Sequence, residues 1–239
     1  MSAINLGGLI IDNVTLDDAV ERVLGYLGTS GSHIIVTPNP EIIVVCQKDA
    51  ELKRIMNSAS LRVPDGVSML VVSRLLKQPL KQRVSGIDLM LRLCDVMNQA
   101  GKRIYLLGSA PGVANEASAR LLNKYDRLQI VGTHDGYFSD DREIVEQIKV
   151  TKPDILFVGL GAGRQERWLN HHLAATGVPV GLAIGGSLDV ISGRKKRAPR
   201  WVQKLYIEWL YRLFREPKRW KRQLALPKFL YLTLVKKVI

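Results

Sequence analysis

The sequence predicts an α/β protein: a Rossmann-like, mostly parallel sheet with helices on both faces, plus a basic amphipathic helical C-terminal appendage. Three observations carry this expectation. Short apolar, often β-branched runs recur with helical stretches between them. Each run stops at a polar or glycine-rich turn. The positive charge is confined to one end of the chain. Apolar residues make up 46% and charged residues 24% of the 239 positions, a globular composition long enough to bury a sizeable core. No window approaches the roughly 18 uninterrupted apolar residues of a conventional transmembrane helix. The start, Met1-Ser2-Ala3-Ile4-Asn5, lacks the basic region and apolar core of a secretory signal. Cys46 and Cys94 sit in apolar helical patterns without partner spacing, so neither a disulfide framework nor a zinc site is expected, and a reducing cytoplasm fits.

Taken in order, Ile34 to Val36 is a short strand that stops at Thr37-Pro38-Asn39-Pro40, and a helical pattern begins at Glu41. Leu61 to Val63 is a second strand, ending at Pro64-Asp65-Gly66, with a helix from Val67 to about Leu76. Arg103 to Leu107 is a third, and Gly108-Ser109-Ala110-Pro111-Gly112 leads into a helix that runs through Lys124. Leu128 to Gly132, Ile155 to Gly159 and Val180 to Ile184 are further strands, with helical stretches between them. Strands at this spacing are βαβ units, and such units build parallel sheets covered on both faces.

Charge divides the chain into a body, 1–193, and an appendage, 194–239. The body carries 20 Lys and Arg against 20 Asp and Glu, while the last 46 residues carry 15 basic residues against Glu208 and Glu216 alone. The whole excess of +13 therefore lies in the appendage, with three of the four tryptophans. Within it Trp201, Leu205, Trp209 and Leu213 recur every fourth residue, flanked by Val202, Tyr206, Leu210 and Phe214. That is one wide apolar stripe on a helix ended by Pro217, with Arg200, Lys204, Arg212 and Arg215 mainly off it. Trp and Tyr among Lys and Arg suit the interface of an anionic membrane. A helix docked on the body is the structural alternative. Helix-turn-helix, zinc and ribonucleoprotein motifs are absent, so nucleic acid is not the expected partner.

Ligands of open α/β sheets bind beyond the carboxyl ends of the strands. Here those ends include Gly108-Ser-Ala-Pro-Gly112, Gly159-Leu-Gly161-Ala-Gly163 and Gly185-Gly186-Ser187-Leu-Asp189. Glycines let backbone N–H groups approach a phosphate, and a following helix N-terminus favours negative charge, so a nucleotide diphosphate is a natural guest. Ordinary strand-to-helix turns need the same glycines. Asp65 is the foremost catalytic candidate, with helix capping as its alternative role. Thr37 and Asn39 flank Pro38 at a neighbouring strand end and share that crevice, or serve only the turn. Gln165 and Glu166 open a helix, with capping again the alternative. His171-His172 are adjacent on a helix, so their rings diverge by about 100° and cannot chelate together. No Walker loop, dinucleotide fingerprint or serine nucleophile elbow occurs. No Asp-x-Asp stands at a strand end to hold Mg²⁺, so metal-free chemistry is expected and no cofactor is called for.

Together these segments resemble the WecG/TagA/CpsF family of bacterial glycosyltransferases. The resemblance runs through Val36-Thr37-Pro38-Asn39-Pro40-Glu41, Pro64-Asp65-Gly66, Arg83-Val-Ser-Gly86, Leu107-Gly108-Ser-Ala-Pro-Gly112, Gly163-Arg164-Gln165-Glu166 and Gly185-Gly186-Ser-Leu-Asp189. It continues through Gly193-Arg-Lys-Lys-Arg197-Ala198-Pro199-Arg-Trp201, Glu208 to Leu213 and Glu216-Pro217-Lys-Arg219. It implies inverting, metal-independent transfer of N-acetylmannosamine from UDP to undecaprenyl-diphosphate-linked N-acetylglucosamine, giving a β-1,4 linkage. The setting would be wall teichoic acid or another surface polysaccharide, on the cytoplasmic face of the plasma membrane. By matching position, Asp65 is the general base. Thr37, Asn39 and Gln165 bind and orient the sugars, Arg83 lies in the same pocket, Gly108, Gly185 and Gly186 are the substrate-binding glycines of the strand ends, and Arg212, Arg219 and Arg222 contact the diphosphate. The family pattern is broken at Ala162-Gly163-Arg164, where Pro-Lys is common before the Gln-Glu, and at Tyr206-Ile207, where Gly-Leu is common. The first break leaves N-acetylmannosaminuronate, glucose and glucuronate open as donors. A binding module without catalysis is the competing class, and self-association through an undocked appendage is a further expectation.

Overall fold

The computed structural model describes residues 2–199, 201–202, 208–215, 220 and 224–236. The chain opens with a hairpin that the strand pattern set out above does not contain. Strands β1 (Ala3–Leu6) and β2 (Leu9–Asp12) pair antiparallel around Gly7 and Gly8, which take φ of +63° and +82°. A two-residue hairpin turn with both central residues at positive φ favours glycine at each.

All six expected strands form, and they build one sheet. They are β3 (His33–Val36), β4 (Leu61–Arg62), β5 (Arg103–Gly108), β6 (Gln129–His134), β7 (Ile155–Gly159) and β8 (Val180–Ala183), in the order β4-β3-β8-β7-β5-β6. Every neighbouring pair is parallel. Alternate strand residues feed opposite layers, as the pleat requires. Ile104, Leu106, Ile155, Phe157, Val180 and Leu182 pack with helices α1 (Leu16–Leu27), α5 (Gly86–Ala100), α6 (Val113–Lys124) and α9 (Ser187–Ile191). Tyr105, Leu107, Leu156, Val158 and Ala183 pack under α7 (Asp141–Thr151) and α8 (Arg164–Thr176). Beside them, α2 (Pro40–Cys46), α3 (Ala50–Ser58) and α4 (Val67–Leu75) close a third cluster with the hairpin.

The last part of the basic segment contributes to that third cluster. Helix Ala225–Leu230 packs on α2, and Phe229, at 0% exposure, lies among Ile4, Leu6, Ile42 and Ile43. One turn on, buried Thr233 donates its hydroxyl to the Phe229 carbonyl at 2.8 Å. Ala198 and Val202, near the root of the segment, are buried too. Residues 203–207, most of the expected Trp201–Phe214 stripe's first half, lie outside the described residues. Helix Glu208–Arg215 covers the second half.

Both cysteines are buried, and burial pushes the thiols of Cys46 and Cys94 up to about 12. The reactive species is the thiolate, so a thiol reagent at pH 8 is expected to modify neither until the protein unfolds. Absorbance titration with and without denaturant checks this, and fast labelling of the native protein would contradict it.

Candidate active site

In sheets of this kind the ligand site is sought where the connections part. After β5 the chain enters α6 on one face, and after β7 it enters α8 on the other. Such a parting leaves a cleft beyond the strand ends. Two glycines let those ends close up. A Cβ on Gly108 would stand 2.3 Å from the Gly159 carbonyl oxygen, and one on Gly159 would stand 2.7 Å from that of Gly185. Close backbone approach therefore requires Gly108 whatever binds there, a demand separate from the phosphate role that the glycine-rich strand ends suggest.

On the β3–β4 side, two polar turns run side by side. The Val63 N–H donates to Val36 O at 3.0 Å, and the Asp65 N–H to Pro38 O at 2.9 Å. The segment before α5 joins them through the Val84 N–H, which donates to Pro64 O at 2.8 Å. These three contacts bring together Thr37, Asn39, Asp65 and Arg83, which are far apart in sequence. Asp65 does not stand at the N-cap of the helix that follows. The N-cap of α4 is Gly66, at φ +135°, with no side-chain cap. The Asp65 carboxylate instead accepts from Arg83 Nε at 3.3 Å, with 28% of the Asp65 side chain and 17% of the Arg83 side chain exposed. A carboxylate that is partly open and held by a guanidinium N–H can receive a proton from a bound hydroxyl.

The other candidates divide between structural and open roles. Asn39 does cap, its side-chain oxygen accepting from the Ile42 N–H at 3.0 Å. The Thr37 hydroxyl leans on the Ala183 carbonyl at 3.4 Å, across to β8. On that side Gln165 and Glu166, at 3% and 2% exposure, lie inside the protein. Glu166 closes the α8 capping box on the Gly163 N–H at 2.6 Å, and burial pushes its carboxyl above the usual range. Gln165 reaches the Gly185 N–H at 3.0 Å, so Gln165, Gly185, Gly186 and Gly108 gather on the β8–β7–β5 side. The sequence does not single out Ser109 and Asp189 as partners, yet Ser109, at φ +63°, donates its hydroxyl to Asp189 at 3.3 Å. It also gives no contact for Arg197, whose guanidinium donates to Asp88 of α5 at 2.6 Å. A non-glycine residue at positive φ cannot be read from a Gly-Ser dipeptide, and the Arg197 contact spans 109 positions.

His171 and His172 turn to different carboxylates, Glu51 and Asp141, each at 3.6 Å. Among the described residues no three His, Cys, Asp or Glu side chains gather where they could hold a metal ion, and no helix is long and apolar enough to cross a membrane. Arg219 and Arg222 lie outside the described residues, as does the side chain of Arg212.

A parallel six-stranded sheet with helices on both faces and an Asp–Arg pair after one of its strands defines a Rossmann-like α/β protein. Comparison with known proteins gives the family. Residues 4–239 match the glycosyl transferase WecG/TagA/CpsF family, and the chain belongs to it. Among its relatives, one from Bacillus spizizenii (strain ATCC 23059 / NRRL B-14472 / W23) is 39% identical over 206 residues, covering 85% of this chain and 79% of the relative. One from Bacillus subtilis (strain 168) is 37% identical over 204 residues, covering 85% and 80%. One from Staphylococcus aureus (strain MW2) is 35% identical over 231 residues, covering 95% and 91%. All three are named N-acetylglucosaminyldiphosphoundecaprenol N-acetyl-beta-D-mannosaminyltransferase.

Proposed function

We propose that this glycosyltransferase moves N-acetylmannosamine from UDP-N-acetylmannosamine to undecaprenyl-diphosphate-linked N-acetylglucosamine, with inversion and without a metal. The names of its relatives support the sugar and the acceptor. The observation that carries the mechanism is the partly open Asp65 carboxylate, which pairs with Arg83 in the turn after β4. Asp65 accepts the proton of the acceptor's 4-hydroxyl as that oxygen bonds to C1 of the donor sugar. The bond from C1 to the diphosphate breaks, and UDP leaves with the electron pair. Arg83 holds the carboxylate in place. Thr37 and Asn39 border the acceptor side, and the glycine turns at Gly108 and Gly185-Gly186 border the diphosphate.

Charge gathers on the departing diphosphate, and guanidinium forks are suited to meet it. Arg212, Arg219 and Arg222 are assigned this role by their match to the family pattern. The Arg212→Ala, Arg219→Ala, Arg222→Ala triple variant is expected to lose transfer by on the order of a hundredfold with its melting temperature kept. A triple variant of unchanged turnover would remove the arginines from the mechanism. Turnover is also expected to persist in EDTA, whereas a loss restored by Mg²⁺ would overturn the metal-free reading.

The appendage also bears exposed Trp201, Phe214, Trp220, Leu224, Tyr231 and Val235 in its strongly basic setting. Apolar rings among cations fit the headgroup layer of an anionic bilayer. This supports a peripheral place on the cytoplasmic face of the plasma membrane, beside an acceptor anchored there, and self-association when no membrane covers these side chains. Flotation with anionic and neutral vesicles tests the placement. Binding to anionic vesicles alone is expected, and equal recovery without either would contradict it.

A further inference from the structure

Two buried side chains on α8 form a chain of hydrogen bonds whose polarity allows few alternatives. The Glu166 carboxylate accepts from two donors, the Gly163 N–H at 2.6 Å and Gln165 Nε2 at 2.8 Å. The other end of the Gln165 amide, Oε1, accepts from the Gly185 N–H at 3.0 Å. Both backbone groups can only donate. Gln165 must therefore present its oxygen to Gly185 and its nitrogen to Glu166, and Glu166 must offer two acceptors. A carboxylate offers one on each of its two oxygens, whereas an amide has an oxygen on one side alone. The turn that this chain holds is the one at the end of β8, where Gly185 takes φ +55° and its carbonyl bears on Gly159.

We infer that Glu166 and Gln165 are positioning residues, a relay that fixes the Gly185–Gly186 turn for the donor diphosphate, and that Gln165 acts through this turn rather than by binding sugar. This rests on the transferase reading for the identity of the ligand. The burial of Gln165 supports it, because its amide is at 3% exposure and, with its oxygen on Gly185 and one N–H on Glu166, keeps one N–H and one lone pair. Family resemblance alone would place Gln165 against the sugar, so the two accounts differ in what they expect of an exchange of the two side chains.

In Glu166→Gln, one acceptor is lost. The new amide nitrogen faces either Gly163 or Gln165, and if Gln165 turns to suit it, its own nitrogen meets the Gly185 N–H. In the double exchange Gln165→Glu with Glu166→Gln, polarity is restored. The carboxylate introduced at position 165 would accept from Gly185 and from the amide nitrogen at position 166, whose oxygen would accept from Gly163, with net charge unchanged. The experiment measures UDP affinity by calorimetry, donor KM and kcat in transfer, and melting temperature for wild type, each single variant and the exchange. Glu166→Gln is expected to weaken UDP binding about tenfold, the scale of one buried hydrogen bond, and to raise donor KM in step. The exchange is expected to recover both to within about threefold. Should Glu166→Gln fail to fold, the exchange still decides. Wild-type UDP affinity and transfer without a glutamine at position 165 support the relay. A folded exchange variant that has lost them shows that the Gln165 amide itself meets ligand, and overturns it. Unchanged UDP affinity in folded Glu166→Gln also overturns it. If wild type binds UDP but transfers no sugar, the transferase reading falls and the relay is judged on affinity alone. If wild type binds no UDP, both fall.

Discussion

Asp65→Asn is expected to lower sugar transfer by about 10²- to 10⁴-fold, the range for loss of a general base, while UDP affinity stays within a few-fold of wild type. The substitution keeps the side chain's size and an oxygen for Arg83 Nε, now 3.3 Å from Oδ1, but removes the ability to take a proton. Helix α4 should not suffer, because Gly66 and not Asp65 stands at its N-cap. Melting temperature and UDP calorimetry therefore separate chemistry from folding. A variant that binds UDP, melts normally and transfers at near wild-type rate would mean that another group receives the proton. Arg83→Ala should act more weakly on kcat, since it releases the carboxylate without removing it.

Phe229→Ala is expected to destabilise the protein by about 3–5 kcal/mol, the usual cost of emptying a fully buried phenylalanine site. Phe229 is at 0% exposure in the cluster formed by the hairpin, α2, α3 and α4. Denaturant unfolding gives the number. A loss below about 1 kcal/mol would show that helix Ala225–Leu230 contributes little to that core. The expected result has a functional side. With Arg197 paired to Asp88 of α5 before helix Glu208–Arg215 and Phe229 buried in the core after it, residues on both sides of that helix hold to the body. Removing everything after Ser192 would therefore strip core contacts as well as cations. Point variants of the arginines are the cleaner probe of the diphosphate role.

Much of this fold is legible in the sequence because a parallel sheet buried on both faces demands continuous apolar runs. Ile155 to Gly159 is such a run, and β7 occupies those positions. The hairpin is harder to read, since each strand has only four residues. Its signal is the Gly7-Gly8 pair between Ile4, Leu6, Leu9 and Ile11, an alternation broken by two turn residues. Strand order is not written locally. That β8 lies between β3 and β7 follows from helix packing, and this order is what brings Thr37 to Ala183. At the site, Asp65 stands out by its place after a strand, but its partner Arg83 lies 18 positions on, and only the folded turns join them. The sequence marks Gln165 as opening a helix without saying which way its amide points. Similarly, the run Phe229 to Val235 is apolar but for Thr233 and shows no sidedness by itself, whereas the fold buries Phe229 and Thr233 and leaves Tyr231 and Val235 exposed.

The central claim is that Asp65 drives lipid-linked sugar transfer, and a turnover assay tests it most directly. Wild type and Asp65→Ala would be given a short-chain lipid-diphosphate N-acetylglucosamine acceptor in EDTA. The donor panel would be UDP-N-acetylmannosamine, UDP-N-acetylmannosaminuronate, UDP-glucose and UDP-glucuronate. The account predicts UDP release and a disaccharide lipid from UDP-N-acetylmannosamine with wild type, and neither with the variant. Equal turnover in the variant, or bound UDP with no product from any donor, would contradict it.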